Sequence, residues 1–195
     1  MNCIEKPMVF ELIEKKSKFI GFSSYIKSEN DAKMFIKFIC DKHKNATHNV
    51  FAYKVLNDGI LKIKFYDDGE PQNSAGKPIY EILNHMDLVN VIVVVTRYFG
   101  GIKLGVGGLT RAYSAAAKNV LINSCIVPLV EKKRVTFEFE YSSLSEIDYL
   151  LKSLDNLIFI NKNYGEIVAY SISTSSCNIE RLSSRRDISI KFIET

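Results

Sequence analysis

No apolar run in the sequence approaches the ~18–20 residues that a membrane-spanning helix needs. Met1–Phe10 carries Glu5 and Pro7 where a secretory leader would have its hydrophobic segment. A cytoplasmic protein without a membrane partner is expected. Cysteine is scarce: the four at positions 3, 40, 125 and 177 are scattered, with no C-x-x-C spacing. That pattern supports neither a disulfide framework nor a zinc site, and the thiols are expected to be reduced and in the core. Two phosphate signatures are also missing. G-x-G-x-x-G does not occur, and Gly76-Lys77 is followed by Pro78 where a P-loop needs a hydroxyl for magnesium. Neither a dinucleotide cofactor nor a Walker-type ATPase is supported, so no cofactor is expected. The acidic run Asp67-Asp68-Gly69-Glu70 does not have EF-hand spacing, and no metal is expected.

What is present describes a globular chain. Its 195 residues are 47% hydrophobic and 25% charged, enough for one large or two small domains with real cores. Twenty-six Lys and Arg against 22 Asp and Glu leave a net charge of +4, which permits contact with nucleic acid or phosphate without demanding it.

Hydrophobic periodicity places strands at Val9–Glu14 and Lys18–Lys27, joined by a hairpin through Lys15–Ser17. A helix follows from a capping-box-like Ser28-Glu29-Asn30-Asp31 to about Lys44. Thr47–Leu56 and Leu61–Tyr66 form a second hairpin that turns at Asn57-Asp58-Gly59. A polar loop over 67–78 leads to a short helix at Pro78. Val91–Val95 is a continuous apolar strand and therefore central to its sheet. Leu109, Ala112, Tyr113, Ala116, Ala117, Val120 and Leu121 make one face of a long helix. Pro128 and the charged Glu131–Arg134 mark a boundary. Beyond it the order strand 135–141, helix 144–154, strand 157–162, strand 166–174, helix 177–185 and strand 188–193 is βαββαβ, the ferredoxin-like split. The expectation is an α+β chain with one domain over 1–128 and a second over 131–195.

Five of the ten glycines fall in Phe99-Gly100-Gly101-Ile102-Lys103-Leu104-Gly105-Val106-Gly107-Gly108, between the buried strand and the long helix. Such a stretch lets the backbone approach a ligand, and the N–H groups of the following helix favour an anion. Arg97, Lys103 and Arg111 would add positive charge, with Arg111 near the helix start, where a cation opposes the macrodipole. The alternative is a tight turn that only packs against the sheet. Asp67, Asp68 and Glu70, three close carboxylates of one loop, could ligate a hard cation or act as an acid/base pair. We favour an ordering role, in which they pair with Arg97, Lys103 or Arg111. His48 at a strand start is either a phosphate contact or a structural hydrogen-bonding group, whereas His43 and His85 lie on helices with no evident partner. Phe51, Tyr53, Tyr98 and Phe99 could stack on bases, but aromatic residues in strands are more often core.

The strings D-D-G-E-P-Q-N-S-A-G-K-P at Asp67–Pro78 and V-V-V-T-R-Y-F-G-G-I-K-L-G-V-G-G-L-T-R-A-Y at Val93–Tyr113 resemble the IMPACT/YigZ family. Lys15–Ile20 and Thr47–Tyr53 resemble the family's earlier blocks. The resemblance implies a first domain with the fold of the second domain of ribosomal protein S-five. It also implies a ferredoxin-like second domain similar to one in elongation factor G. Eukaryotic members regulate translation initiation by competing for a ribosome-associated activator of a stress kinase, and they carry an extra N-terminal recognition domain. This sequence is expected to open directly on the shared domain, which would make the bacterial-type relatives the nearer comparison. Where the family commonly has Ser-Gly-Thr, this chain has Gln72-Asn73-Ser74; Asn73 tolerates a left-handed turn and Ser74 keeps a hydroxyl.

The expected function is a non-catalytic binding protein for RNA, the ribosome or a translation-related protein. Arg97, Gly100, Gly101, Lys103, Gly105, Gly107, Gly108, Arg111, Lys77 and His48 would meet phosphate, and Asp67, Asp68, Glu70 and Ser74 would order the loop. Two alternatives are a phosphate-handling enzyme akin to small-molecule kinases, whose glycine-rich turn also precedes a helix, and a protein-interaction module. The sequence does not fix the oligomeric state.

Overall fold

The computed structural model describes residues 1–57, 59–130, 132–155 and 157–194, and of Glu194 the backbone alone. The chain is α+β and divides into two compact units, Met1–Leu129 and Val130–Thr195.

In the first unit, β2 (Met8–Glu14), β3 (Ser17–Tyr25), β4 (His48–Asn57), β5 (Ile60–Tyr66) and β6 (Val91–Tyr98) form an antiparallel sheet in the order β2-β3-β6-β4-β5. The continuous apolar run made β6 the expected centre, and its two faces serve two cores. Val91, Val93 and Val95 pack under α2 (Gly76–His85) and α3 (Gly105–Ile122), while Ile92 and Val94 pack under α1 (Glu29–Lys42). The capping box at α1 is formed: Ser28 Oγ accepts from the Asp31 N–H at 3.1 Å, and the Asp31 carboxylate accepts from the Ser28 N–H at 3.0 Å. The β4–β5 hairpin forms with Asn57 opposite Ile60, but Asp58 of its turn lies outside the described residues.

The pairing of Lys18 with Tyr98 and of His48 with Arg97 brings the start of β3, the start of β4 and the end of β6 to one end of the sheet. The candidate site stands there. Two three-residue strands absent from the sequence reading, β1 (Asn2–Ile4) and β7 (Ile126–Pro128), pair antiparallel and close the first unit.

The second unit contains β8 (Lys132–Phe139), a 3-10 turn (Tyr141–Ser143), α4 (Leu144–Lys152), β9 (Ile158–Tyr164), β10 (Val168–Ser175), α5 (Ser176–Ser183) and β11 (Ser189–Glu194). Its antiparallel sheet has the order β11-β8-β10-β9, and Val135, Phe137, Phe139, Ile147, Leu151, Tyr170 and Leu182 belong to its core. All four cysteines are free. The expectation that they sit in the core holds only for Cys3; Cys40 is half-buried, and Cys125 and Cys177 are exposed.

Candidate functional site

The loop between β5 and α2 is ordered by its own carboxylates. Asp67 accepts hydrogen bonds from the backbone N–H groups of Asn73 (2.8 Å), Ala75 (3.1 Å) and Gly76 (2.8 Å). It thereby supplies the cap that Ala75, at the N-cap position of α2, cannot. Asp68 accepts from the Asn49 N–H at 2.6 Å, and Ser74 Oγ donates to the Pro71 carbonyl at 2.7 Å. Asn73 sits at φ 61°, in the left-handed region its short amide tolerates. Asp67 and Asp68 therefore meet backbone donors rather than the cations expected of them.

Glu70 alone turns inward. Its Oε1 accepts from Arg97 Nη1 at 2.7 Å and from the Tyr113 hydroxyl at 2.8 Å, and all three residues are buried. Arg97 also reaches Ser17 Oγ at 3.4 Å and lies over the rings of Phe19 and Phe99, at 5.5 and 5.4 Å. Its Nε is buried without a hydrogen-bond partner. Burial and the adjacent Glu70 carboxylate push the Tyr113 hydroxyl far above the ordinary tyrosine range, so it stays a proton donor. Arg97 was expected both to face phosphate and to pair with a loop carboxylate; Glu70 is that partner.

His48 Nδ1 lies 2.7 Å from the Asp68 main-chain oxygen. A carbonyl can only accept, so Nδ1 carries the hydrogen and, in the neutral ring, Nε2 is left as an acceptor. Nε2 stands 3.8 Å from Glu70 Oε1, beyond hydrogen-bond reach.

The glycine stretch is split between loop and helix. A Cβ at Gly100 would collide with the main chain of Lys16, so this position requires glycine for close packing against the β2–β3 hairpin. Gly101 needs its φ of 85°. Gly105, Gly107 and Gly108 lie in the first turn of α3, which begins four residues before the apolar stripe at Leu109. No side chain caps that N-terminus and no acidic residue lies in its first turn.

Thr47, His48, Glu70, Pro71, Arg97, Phe99, Lys103, Leu104, Gly105, Val106 and Leu109 line a cleft of about 460 Å³. Arg111 and Lys77 are not among them. Arg111 lines a neighbouring groove of about 240 Å³ with Glu14, Lys15 and Gly108, and Leu104 borders both. Lys77 is exposed at the second position of α2. The sequence reading gave Lys15 no role, although two consecutive lysines at a hairpin turn were the available signal. Of the four aromatics weighed for stacking, Phe51 and Tyr53 are buried and Tyr98 half-buried, while Phe99 is 46% exposed beside the cleft. Among the described residues, no cluster of His, Cys, Asp and Glu could hold a metal ion. Nor, among the described residues, is any helix long and apolar enough to cross a membrane.

Residues 15–121 match the family model described as the Impact N-terminal domain. The chain belongs to the IMPACT family. The IMPACT family member YvyE of Bacillus subtilis (strain 168) is 40% identical over 149 residues, covering 76% of this chain and 68% of that protein. The IMPACT family member YigZ of Escherichia coli (strain K12) is 31% identical over 172 residues, covering 88% and 84%. A solved structure described as a hypothetical protein superposes at a TM-score of 0.68 with 28% identity, over 99% of this chain and 97% of that one. Every residue lining the cleft falls within the stretch matched to the IMPACT domain.

Proposed function

We propose that this IMPACT-family protein is a non-catalytic, cytoplasmic binding protein of the translation apparatus that contacts RNA or the ribosome through the end of the first sheet. The carrying observation is the charge left in the cleft. Glu70 and Arg97 neutralise each other, while Lys103 makes no ion pair among the described residues and stands beside the uncapped N-terminus of α3. A phosphate strand leaving the cleft across Leu104 would reach Lys15 and Arg111 in the adjoining groove. The family resemblance supports the link to translation. We assign the first unit to the S-five domain fold and the second to the ferredoxin-like fold on the same resemblance and on the sheet order of the second unit.

The test is binding of the purified chain to ribosomes and to short single- and double-stranded RNA across a salt series, compared with Lys103→Glu/Arg111→Glu. Counterion release predicts steeply salt-dependent affinity, and each lost phosphate contact should lower the slope of log K against log salt by about one. Absence of binding at low salt, or binding indifferent to the folded double variant, would refute the reading. In that event, nucleotide turnover with magnesium or nuclease-resistant capture of a protein would identify the enzyme or protein-partner alternatives.

A further inference from the structure

We infer that the cleft is a single-nucleotide seat: it takes one nucleoside monophosphate unit, with the phosphate on the α3 N-terminus and the base on Phe99. The inference rests on the phosphate-binding reading above and narrows it.

Three features point to this ligand class. The first is a place for the anion. The N–H groups of Gly105, Val106 and Gly107 have no intrahelical carbonyl to bond, no side chain caps them, and Lys103 flanks them. Among the described residues Glu70 is the only carboxylate lining the cleft, and it is already held by Arg97 and Tyr113. The Arg97 side chain, which lines the same cleft, is 6% exposed; its Nη1 is taken by Glu70, but its Nε has no partner among the described residues. The second is a place for a flat apolar body. At about 460 Å³ the cleft is far larger than a bare phosphate needs and lies in the range of small-molecule sites. Its wall includes Pro71, Leu104, Val106 and the 46%-exposed ring of Phe99, which the Arg97 guanidinium backs at 5.4 Å. Such a ring is a stacking platform for a base. The third is a polar discriminator between them. His48 Nε2, which in the neutral ring is an acceptor because Nδ1 bonds to the Asp68 carbonyl, can then receive a hydrogen bond from a ribose hydroxyl or an exocyclic amine.

A free mononucleotide and the terminal nucleotide of an RNA strand share this chemistry, and the test separates them. Uniformly ¹⁵N-labelled full-length protein is titrated with AMP and UMP, with adenosine and inorganic phosphate as part-ligands. In parallel, RNA oligonucleotides bearing a 5′-phosphate or a 5′-hydroxyl are titrated, and amide shifts and affinities are read.

The expected result is saturable shifts at Val106, Gly107 and Gly108 with the monophosphates and much weaker ones with either part-ligand. Phe99→Ala should weaken binding about tenfold. Lys103→Glu should abolish it, and Lys37→Glu, on the exposed face of α1, should leave it unchanged. Preference for the 5′-phosphorylated strand over AMP would make the source an RNA end; equal or stronger binding of AMP would make it a free nucleotide. Either result supports the seat.

No shift at millimolar monophosphate, or shifts away from α3, overturns the inference. RNA binding that persists in Phe99→Ala and is not competed by AMP overturns the seat but leaves the broader reading standing. Monophosphate binding without any RNA or ribosome binding does the reverse.

Discussion

Glu70 and Arg97 meet as a buried ion pair at 2.7 Å, the carboxylate coming from the β5–α2 loop and the guanidinium from the end of the central strand. The Tyr113 hydroxyl of α3 shares the same oxygen, so one carboxylate ties loop, sheet and helix together.

Removing one partner of that pair leaves a buried charge unpaired. Glu70→Ala is expected to cost about 3–5 kcal/mol in urea unfolding. Tyr113→Phe, which removes one charge-assisted hydrogen bond, should cost about 2 kcal/mol. Replacing both charges, as Glu70→Leu/Arg97→Met, should recover much of the first loss. A Glu70→Ala cost under 1 kcal/mol would mean that the pair does not hold the loop.

Asp67 caps α2 through the N–H groups of Ala75 and Gly76 while fixing Asn73. Asp67→Ala is expected to lose about 1–2 kcal/mol and Asp67→Asn less, because the amide keeps one acceptor oxygen. Hydrogen exchange should localise the loss to residues 73–79.

Gly100 lies against the backbone of Lys16 with no room for a methyl group. Gly100→Ala should therefore destabilise the first unit by about 2–3 kcal/mol, with the β2–β3 turn displaced. Thermal unfolding with amide shifts at Lys15–Ser17 provides the measurement.

His43 supplies a pH dependence. Its Nδ1 lies 2.9 Å from the Tyr98 hydroxyl and its Nε2 is buried without a partner. Burial, helped by the nearby charges of Lys42 and Lys18, holds the imidazole below its ordinary 6.5. As pH falls through that value the unfolded chain takes up the proton first, so stability is flat above it and declines below it. Stability should therefore fall as the pH is lowered from 7 through 6.5, and His43→Gln should flatten the profile. An unchanged profile in the variant would place the titration elsewhere.

Much of the fold was legible because its elements carry unbroken periodicity. Val91–Val95 announced the central strand, and the Leu109–Leu121 stripe the long helix. The true start of that helix at Gly105 was hidden, since glycines neither favour helix nor present a side chain whose spacing can be read. The β1–β7 pair escaped because three residues are too few to show alternation. At the site, the burial of Arg97 was contained in the strand itself: it shares a face with Val93 and Val95, and that face is the core. The hydroxyl of Tyr113 could not be foreseen, because its partner lies 43 residues away in a polar loop. Lys103, on a loop with no alternation to bury it, kept the exposure expected of it.

The β1–β7 pair has a consequence for synthesis. Asn2 is bonded on one side to Asp87 and Val89 and on the other lies opposite Pro128, so one of the two partners of the unit's earliest strand is its last-translated segment. While the nascent chain emerges, Cys3 and Ile4, both buried in the finished unit, must wait uncovered until residue 128 has cleared the exit tunnel. Closing so long a loop is a slow, late event. The first unit can thus complete its β1–β7 pair only near the end of its own translation, and a chaperone or a stalled ribosome would meet its opening strand with that edge still unpaired.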